Sequence, residues 1–361
     1  MSLALSLPVP AIPVGPTFPE RAKRYPRLRY MGSKNKLLPW IWETLVQLEF
    51  DSALDLFSGT ASVGYLFKTM GKRAITNDFL RFAHDLALAT VENDGAVLTD
   101  EQVAALGRSR RGRATFIEKT FAGIFFTKED LRFLDVVWSN LGELRGPHPR
   151  AVALAALTRA CLKRQPRGVF TVNGGNYDDG RRDLRLSIEE HFAESVAVFN
   201  DLVFDNGRQN AALRGDAFAV SASGVDLVYM DPPYVPRADD NCYIKRYHFL
   251  EGLASYWREP GTEIVESSRV KKIAKRFTPF SYRSTATDAF ERIFRRFADS
   301  TIVLSYSSNG YPDLKTLVAL LRRVKRHVDV VQREHRYHFG THKGVAAERK
   351  LVDEYLILGR G

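Results

Sequence analysis

Apolar residues along the chain fall into two patterns. Short, nearly unbroken apolar runs bounded by turn residues recur at 53–57 (A-L-D-L-F), 73–77, 225–230 (V-D-L-V-Y-M), 301–308, 328–331 and 355–358. Runs of that length, rich in Val, Ile, Leu and Tyr, predict strands buried on both faces. Between them lie stretches with helical spacing. Leu37, Leu38, Ile41, Leu45 and Leu48 share one face, and further helices are expected through Met70, over 128–144, 150–163 and 187–202, and up to Trp257. Strand alternating with helix predicts an α/β fold built on a Rossmann-like sheet with helices on both faces. From about residue 108 the alternation stops. The expected organisation is therefore an α/β domain from 21–107 and 211–361, split by a mainly helical insertion at 108–210. Residues 1–20 read as a disordered, extended arm, with prolines at 8, 10, 13, 16 and 19 and no basic segment of the kind that opens a signal peptide.

Composition narrows the partners. A chain of 361 residues that is 45% hydrophobic can bury one large core or a core plus a lobe. Its net charge of +11 and pI near 9.6 favour a polyanion such as nucleic acid. No apolar run approaches a membrane span. Cys161 and Cys242 offer neither metal-ligand spacing nor a disulfide framework, which suits a reducing cytoplasm.

Candidate chemistry sits where the strands end. The run at 225–230 leads into Asp231-Pro232-Pro233-Tyr234, which places an acidic acceptor at the carboxyl end of a strand, where open α/β sheets bind ligands. Two prolines stiffen the bend and leave its carbonyls free to accept. An acceptor, a rigid turn and an aromatic ring suit a flat heterocycle bearing an amino group. The turn Ser58-Gly59-Thr60-Ala61-Ser62-Val63-Gly64 lets backbone approach a ligand. It is neither G-x-G-x-x-G nor a phosphate loop, so dinucleotides and ATP are disfavoured. Asp78, ending the second strand about 20 residues after the glycine turn, suits ribose hydroxyls and also suits a helix cap. A nucleoside without phosphates fits this pair best. The basic stretch from Arg21 to Lys36 opens a helix at Gly32-Ser33-Lys34, with Ser33 or Asn35 as caps.

Several loops combine Arg, Asn, Gln and Gly: Arg108–Arg113, Arg164–Gly168, Asn173–Asn176 and Gly180–Arg185. Arg pairs with guanine and Asn or Gln with adenine, so Arg164, Arg167, Arg181 and Arg182 are candidates for reading DNA. The stretch 269–276, with Lys271, Lys272 and Lys275, is nearly all basic and suits phosphates.

With these pieces placed, the sequence resembles the Dam-like (alpha-group) S-adenosylmethionine-dependent adenine-N6 DNA methyltransferases. The markers are R-Y-M-G-S-K at 29–34, D-L-F-S-G-T-A-S-V-G at 55–64, N-D at 77–78 and G-D-A-F at 215–218, then D-P-P-Y at 231–234, Y-H-F-L-E at 247–251 and V-L-S-Y-S at 303–307. The resemblance spans almost everything after residue 25. It implies a Rossmann-like methyltransferase sheet with an inserted target-recognition lobe. It also implies S-adenosylmethionine as cofactor, double-stranded DNA as substrate, a cytoplasmic, nucleoid-associated setting of prokaryotic or phage type, and a cognate restriction endonuclease as a candidate partner. By this resemblance Tyr30 and Lys34 contact the cofactor, Asp55 and Gly59 line its methionine end, Asp78 holds its ribose, and Asp216 and Phe218 border its adenine. Asp231 to Tyr234 would hold the target base, with Asp231, Pro232 and Tyr234 as the catalytic set. Tyr30 stands where the family often has Trp, and the glycine turn is the D-L-F-S-G variant, so Dam's own target word is not transferred.

Other readings remain open at this level. Amino-methylation of cytosine at N4 or of ribosomal RNA uses the same acceptors, whereas carbon-5 methylation needs a nucleophilic Cys that neither cysteine provides. A DNA-binding relative without chemistry is a further alternative. Pro312-Asp313 with Glu348-Arg349-Lys350 loosely echoes a metal-dependent nuclease.

Overall fold

Consecutive residues of each central strand divide between two apolar cores. In the strand Leu227–Met230, Leu227 and Tyr229 enter one core while Val228 and Met230 enter the other. Ala53 and Leu54 divide the same way. Neither face meets water, so the apolar runs are unbroken rather than alternating. The computed structural model describes residues 16–171, 180–235, 242–336 and 351–361; residues 1–15 of the proline-rich arm lie outside them.

Among the described residues one seven-stranded sheet forms from β1 (Ser52–Asp55), β2 (Arg73–Asp78), β3 (Ala211–Arg214), β4 (Leu227–Met230), β5 (Thr301–Ser307), β6 (His327–Arg336) and β7 (Leu351–Arg360). Their order is β3-β2-β1-β4-β5-β7-β6. β1 to β5 run parallel, and β7 is antiparallel to both its neighbours. The α/β, Rossmann-like expectation thus holds. Helices Leu38–Leu45, Ser62–Thr69 and Arg81–Ala87 cover one face, and Arg283–Arg296 and Leu314–Leu321 cover the other.

The described residues of the stretch 108–210 are mainly helical, with main helices Lys128–Asn140, Pro147–Arg164 and Ile188–Leu202. Pro147–Arg164 is buried nearly all round, Ala151 through Thr158 without a break, and packs against Ile188–Leu202 and Arg81–Ala87. Small alanines permit that close approach. The apolar residues of this helical stretch therefore belong to the same core as those on this face of the sheet. Leu134, Leu157 and Phe199 have no exposed surface and each contributes about 1.5–3 kcal/mol by leaving water.

Some bounds differ from the sequence pattern for physical reasons. Helix Lys128–Asn140 stops short of residue 144 because Leu141–Glu143 tightens into a 3-10 turn. Helix Asp100–Leu106, not marked by apolar spacing, fully buries Leu106 alone, half-buries Gln102, Val103 and Ala105, and is held by a capping box between Thr99 and Gln102. β6 is longer than 328–331 because its outer half is a solvated edge paired only to β7. Asp313 does not resemble a metal ligand: its carboxylate accepts from Thr316 N at 2.8 Å and caps helix Leu314–Leu321. Glu348 to Lys350 lie outside the described residues, and among those described no acidic, His or Cys cluster could hold a metal. No described helix is long and apolar enough to cross a membrane.

Candidate active site at the carboxyl edge of the sheet

Because β1, β2 and β4 are parallel, the residues that end them meet at one edge. Asp55 ends β1, Asp78 ends β2 and Asp231 follows β4. All three line a cleft of about 290 Å³, together with Tyr30, Lys34, Gly59, Asp216 and Phe218. The eight residues expected around a cofactor thus come together. Pro233 also lines the cleft, whereas Tyr234 turns its ring toward Tyr306, with centroids 5.4 Å apart.

The glycine turn is built around its acids. Gly59 adopts φ +51°, and a Cβ there would stand 3.3 Å from the Tyr30 ring; glycine keeps that approach open. Gly59 N donates to Asp78 Oδ2 at 2.8 Å, and Leu80 N donates to Oδ1 at 2.9 Å. Asp78 therefore braces the turn and the start of the next segment together. Burial pushes its carboxyl up to about 6, partly offset by those N–H groups. Asp55 accepts from Gly64 N at 3.0 Å, and burial pushes it up to about 8. Asp231 is raised by burial and lowered by Lys34, whose Nζ lies 2.8 Å from Oδ1. Only 6% of the Lys34 side chain and 19% of the Asp231 side chain are exposed.

Contacts that sequence reading missed hold this edge in place. Tyr30 stacks on Tyr247 (centroids 4.6 Å apart, planes 19° apart) and on Tyr243 (5.5 Å, 28°). Met31 N donates to Tyr247 Oη at 2.6 Å. Helix Tyr243–Ser255, broken at Tyr247, thereby pins the segment carrying Tyr30 and Lys34. The four-residue spacing of the two tyrosines was the one available signal. Glu251, fully buried and pushed by burial to about 7, accepts from Arg81 N at 2.7 Å and fixes the helix that follows Asp78. Phe218 stacks on Phe280 at 5.5 Å with nearly parallel planes, while the Arg292 guanidinium lies 4.4 Å from its centroid. Phe277, 68% exposed, stands at the mouth of the cleft.

The basic candidates separate. Arg164 binds Asp130 at 3.2 Å and the Leu184 carbonyl. Arg181 donates to the Pro166 carbonyl at 2.9 Å, and Arg182 pairs with Glu194. These guanidiniums bind the segments around 164–166 and 181–185 to each other and to helices Lys128–Asn140 and Ile188–Leu202. Arg167 and Lys275 are exposed, Lys271 and Lys272 half-buried; Asn173 to Asn176 lie outside the described residues. Cys161 is buried in its helix, and burial pushes its thiol well up, away from the thiolate that carbon-5 chemistry needs.

Comparison with known proteins agrees with this geometry. Type II methyltransferase M2.HphI of Haemophilus parahaemolyticus is 29% identical over 330 residues, covering 87% of this chain and 93% of its own. Type II methyltransferase M.NlaIII of Neisseria lactamica is 25% identical, covering 86% and 92%. Modification methylase LlaI of Lactococcus lactis subsp. lactis is 24% identical over 91% of this chain, which spans 54% of that longer protein. Residues 30–300 match the model of one family, and the chain belongs to it: the D12 class of N6 adenine-specific DNA methyltransferases.

Proposed function

We propose that this chain takes S-adenosylmethionine as methyl donor and methylates adenine N6 within one word of double-stranded DNA, with the base flipped into the cleft. The observation that carries this reading is the half-buried Asp231, paired with Lys34 and facing the same cleft as Asp78 and Gly59. The residues fit a nucleoside-bearing cofactor. The cleft lies near the small end of ligand sites, offers a buried carboxylate at one strand end, and has an apolar wall at Phe218 and Phe280. When bound, the cofactor supplies an electrophilic methyl group on a sulfonium.

In this reading Asp78 accepts from ribose hydroxyls, Asp55 and Gly59 line the methionine end, and Asp216 and Phe218 border the adenine. Asp231 Oδ2 and the Pro232 carbonyl each accept one N–H of the target amine. That withdraws the nitrogen lone pair from the ring, aims it at the methyl carbon and stabilises the positive charge that develops. Transfer is direct, governed by alignment, and the amine loses its surplus proton afterwards. Tyr234 supports the flipped base. Arg167 serves base reading, and Lys271, Lys272 and Lys275 serve phosphates. Arg164, Arg181 and Arg182, engaged within the protein, position the reading loop. By analogy with relatives named type II methyltransferases or a modification methylase, the chain protects DNA from an endonuclease of the same word.

Single-molecule methylation mapping of DNA from cells expressing the protein is expected to show N6-methyladenine at one word. Methylcytosine, or an unmodified genome with a folded protein present, would overturn the reading.

Asp78→Ala is expected to weaken S-adenosylmethionine binding by roughly 1–3 kcal/mol through lost hydrogen bonds. It should also loosen the Gly59 turn, whereas Asp78→Asn keeps an acceptor there. Unchanged affinity in a calorimetric titration of both variants would leave Asp78 as a brace alone.

A further inference from the structure

The pairing of Lys34 with Asp231 goes beyond a cofactor contact. We propose that Lys34 is a positioning residue for the amine acceptor: its ammonium holds Asp231 by Oδ1, turns Oδ2 toward the exocyclic amine, and keeps the carboxylate charged among acids and phenols. The inference rests on Asp231 being that acceptor.

The geometry leaves the ammonium little choice. Gly32 at φ +78° turns the chain so that Lys34 enters the cleft, and Ser33 N closes the turn on the Tyr30 carbonyl at 3.2 Å. Tyr243 and Tyr247 clamp the turn from outside through Tyr30 and Met31. Nζ then reaches Asp231 Oδ1 at 2.8 Å and the Gly32 carbonyl at 3.3 Å. Among the described residues, the other titratable groups around Asp231 are neutral or acidic. Asp55 approaches from β1 and Glu354 from β7, with the phenols of Tyr30, Tyr229, Tyr234 and Tyr243 around them. Burial disfavours the charge on Asp231, the Glu354 carboxylate adds to that, and the phenols, held neutral, do not offset either. Lys34 opposes both.

A neutral side chain at 34 should therefore let Asp231 take up a proton over more of the neutral range. The sign is fixed: burial raises Asp231 and Lys34 lowers it, so removing Lys34 raises it further, and activity is lost as pH falls through the higher value. The test is single-turnover methyl transfer with saturating S-adenosylmethionine across the pH range, with calorimetric binding of the cofactor alongside. In Lys34→Met the acid limb is expected to move up by about one pH unit or more, which is a loss of about tenfold near neutrality that shrinks as pH rises. Cofactor affinity is expected to fall as well, since Lys34 lines the same cleft, and saturating S-adenosylmethionine removes that loss from the single-turnover rate. Lys34→Arg should restore the limb, and Lys34→Gln, with the same expected shift and the same overturning result, replaces Lys34→Met should that variant fail to fold.

An unmoved limb in Lys34→Met overturns the proposal, as does a shifted limb in Lys34→Arg equal to that of Lys34→Met. Weakened cofactor binding with an unmoved limb would assign Lys34 to the cofactor instead. Asp231→Ala in the same assay separates the two readings. Wild-type turnover there removes Asp231 as acceptor, while a dead Asp231→Ala with an unmoved Lys34→Met limb removes only the inference about Lys34.

Discussion

Asp231→Ala is expected to lower methyl transfer by about 10²–10³-fold, equivalent to about 2.7–4 kcal/mol of transition-state stabilisation, the magnitude typical of removing one preorganised group that acts on developing charge. The side chain faces the cleft rather than a core, so little apolar packing is lost with it. Its removal has a second effect, because Lys34 loses its counter-ion while only 6% of the lysine side chain is exposed. Breaking a buried pair from one side is costlier than removing both partners. The double variant Asp231→Ala, Lys34→Met should accordingly be more stable than Asp231→Ala alone and equally inactive. A tritiated-methyl assay on variants shown to melt cooperatively checks both points. Wild-type turnover by Asp231→Ala would end the assignment of this carboxylate.

Gly168→Ala is expected to cost several kcal/mol of stability and to weaken cofactor binding from outside the cleft. A Cβ at position 168 would stand 2.5 Å from the Arg29 carbonyl oxygen and 2.5 Å from Arg29 Cβ, on a residue at φ +67°. The first contact is with backbone and cannot be relieved by a rotamer. Overpacking of this kind costs about 1–3 kcal/mol, and the left-handed conformation adds about 1–2 kcal/mol for a side chain. Arg29 is itself fastened to this loop: its guanidinium donates to the Lys163 carbonyl at 2.7 Å and the Gln165 carbonyl at 3.1 Å, and it pairs with Asp183 at 2.5 Å. Pushing Arg29 aside therefore displaces Tyr30, its neighbour in the cleft. Urea unfolding and calorimetry on the purified variant measure the two effects. A variant as stable as the parent, with the same affinity, would mean that the loop and Arg29 separate without cost.

What could be read from the sequence was local. The strands leading to Asp55, Asp78 and Asp231 announce themselves because burial on both faces removes the polar positions from a run, and Gly59 and Pro232 mark where each run must turn. What escaped was pairing between distant segments. Nothing near Lys34 points to Asp231 as its partner, nor anything near Tyr30 to Tyr243 and Tyr247. Arg164, Arg181 and Arg182 illustrate the same limit. A guanidinium in a glycine-rich loop has the same composition whether it faces a base edge or an internal carbonyl, and these three bind Asp130, the Pro166 carbonyl and Glu194. β6 was underestimated because Gln332, Arg333 and Glu334 look like a loop until β7 supplies their partners.

Residues Arg29 to Met31 are gripped from two sides, by the 163–168 loop through Arg29 and by helix Tyr243–Ser255 through Tyr30 and Met31. The same three residues border the cleft at Tyr30 and Met31. A tripeptide held this way is shared property of the loop and the cleft, and thermodynamic linkage applies to whatever each side binds. If filling the cleft tightens the loop's hold on its ligand by some factor, the loop's ligand must tighten the cleft's by the same factor. Affinity for the two cannot then be adjusted independently through this tripeptide.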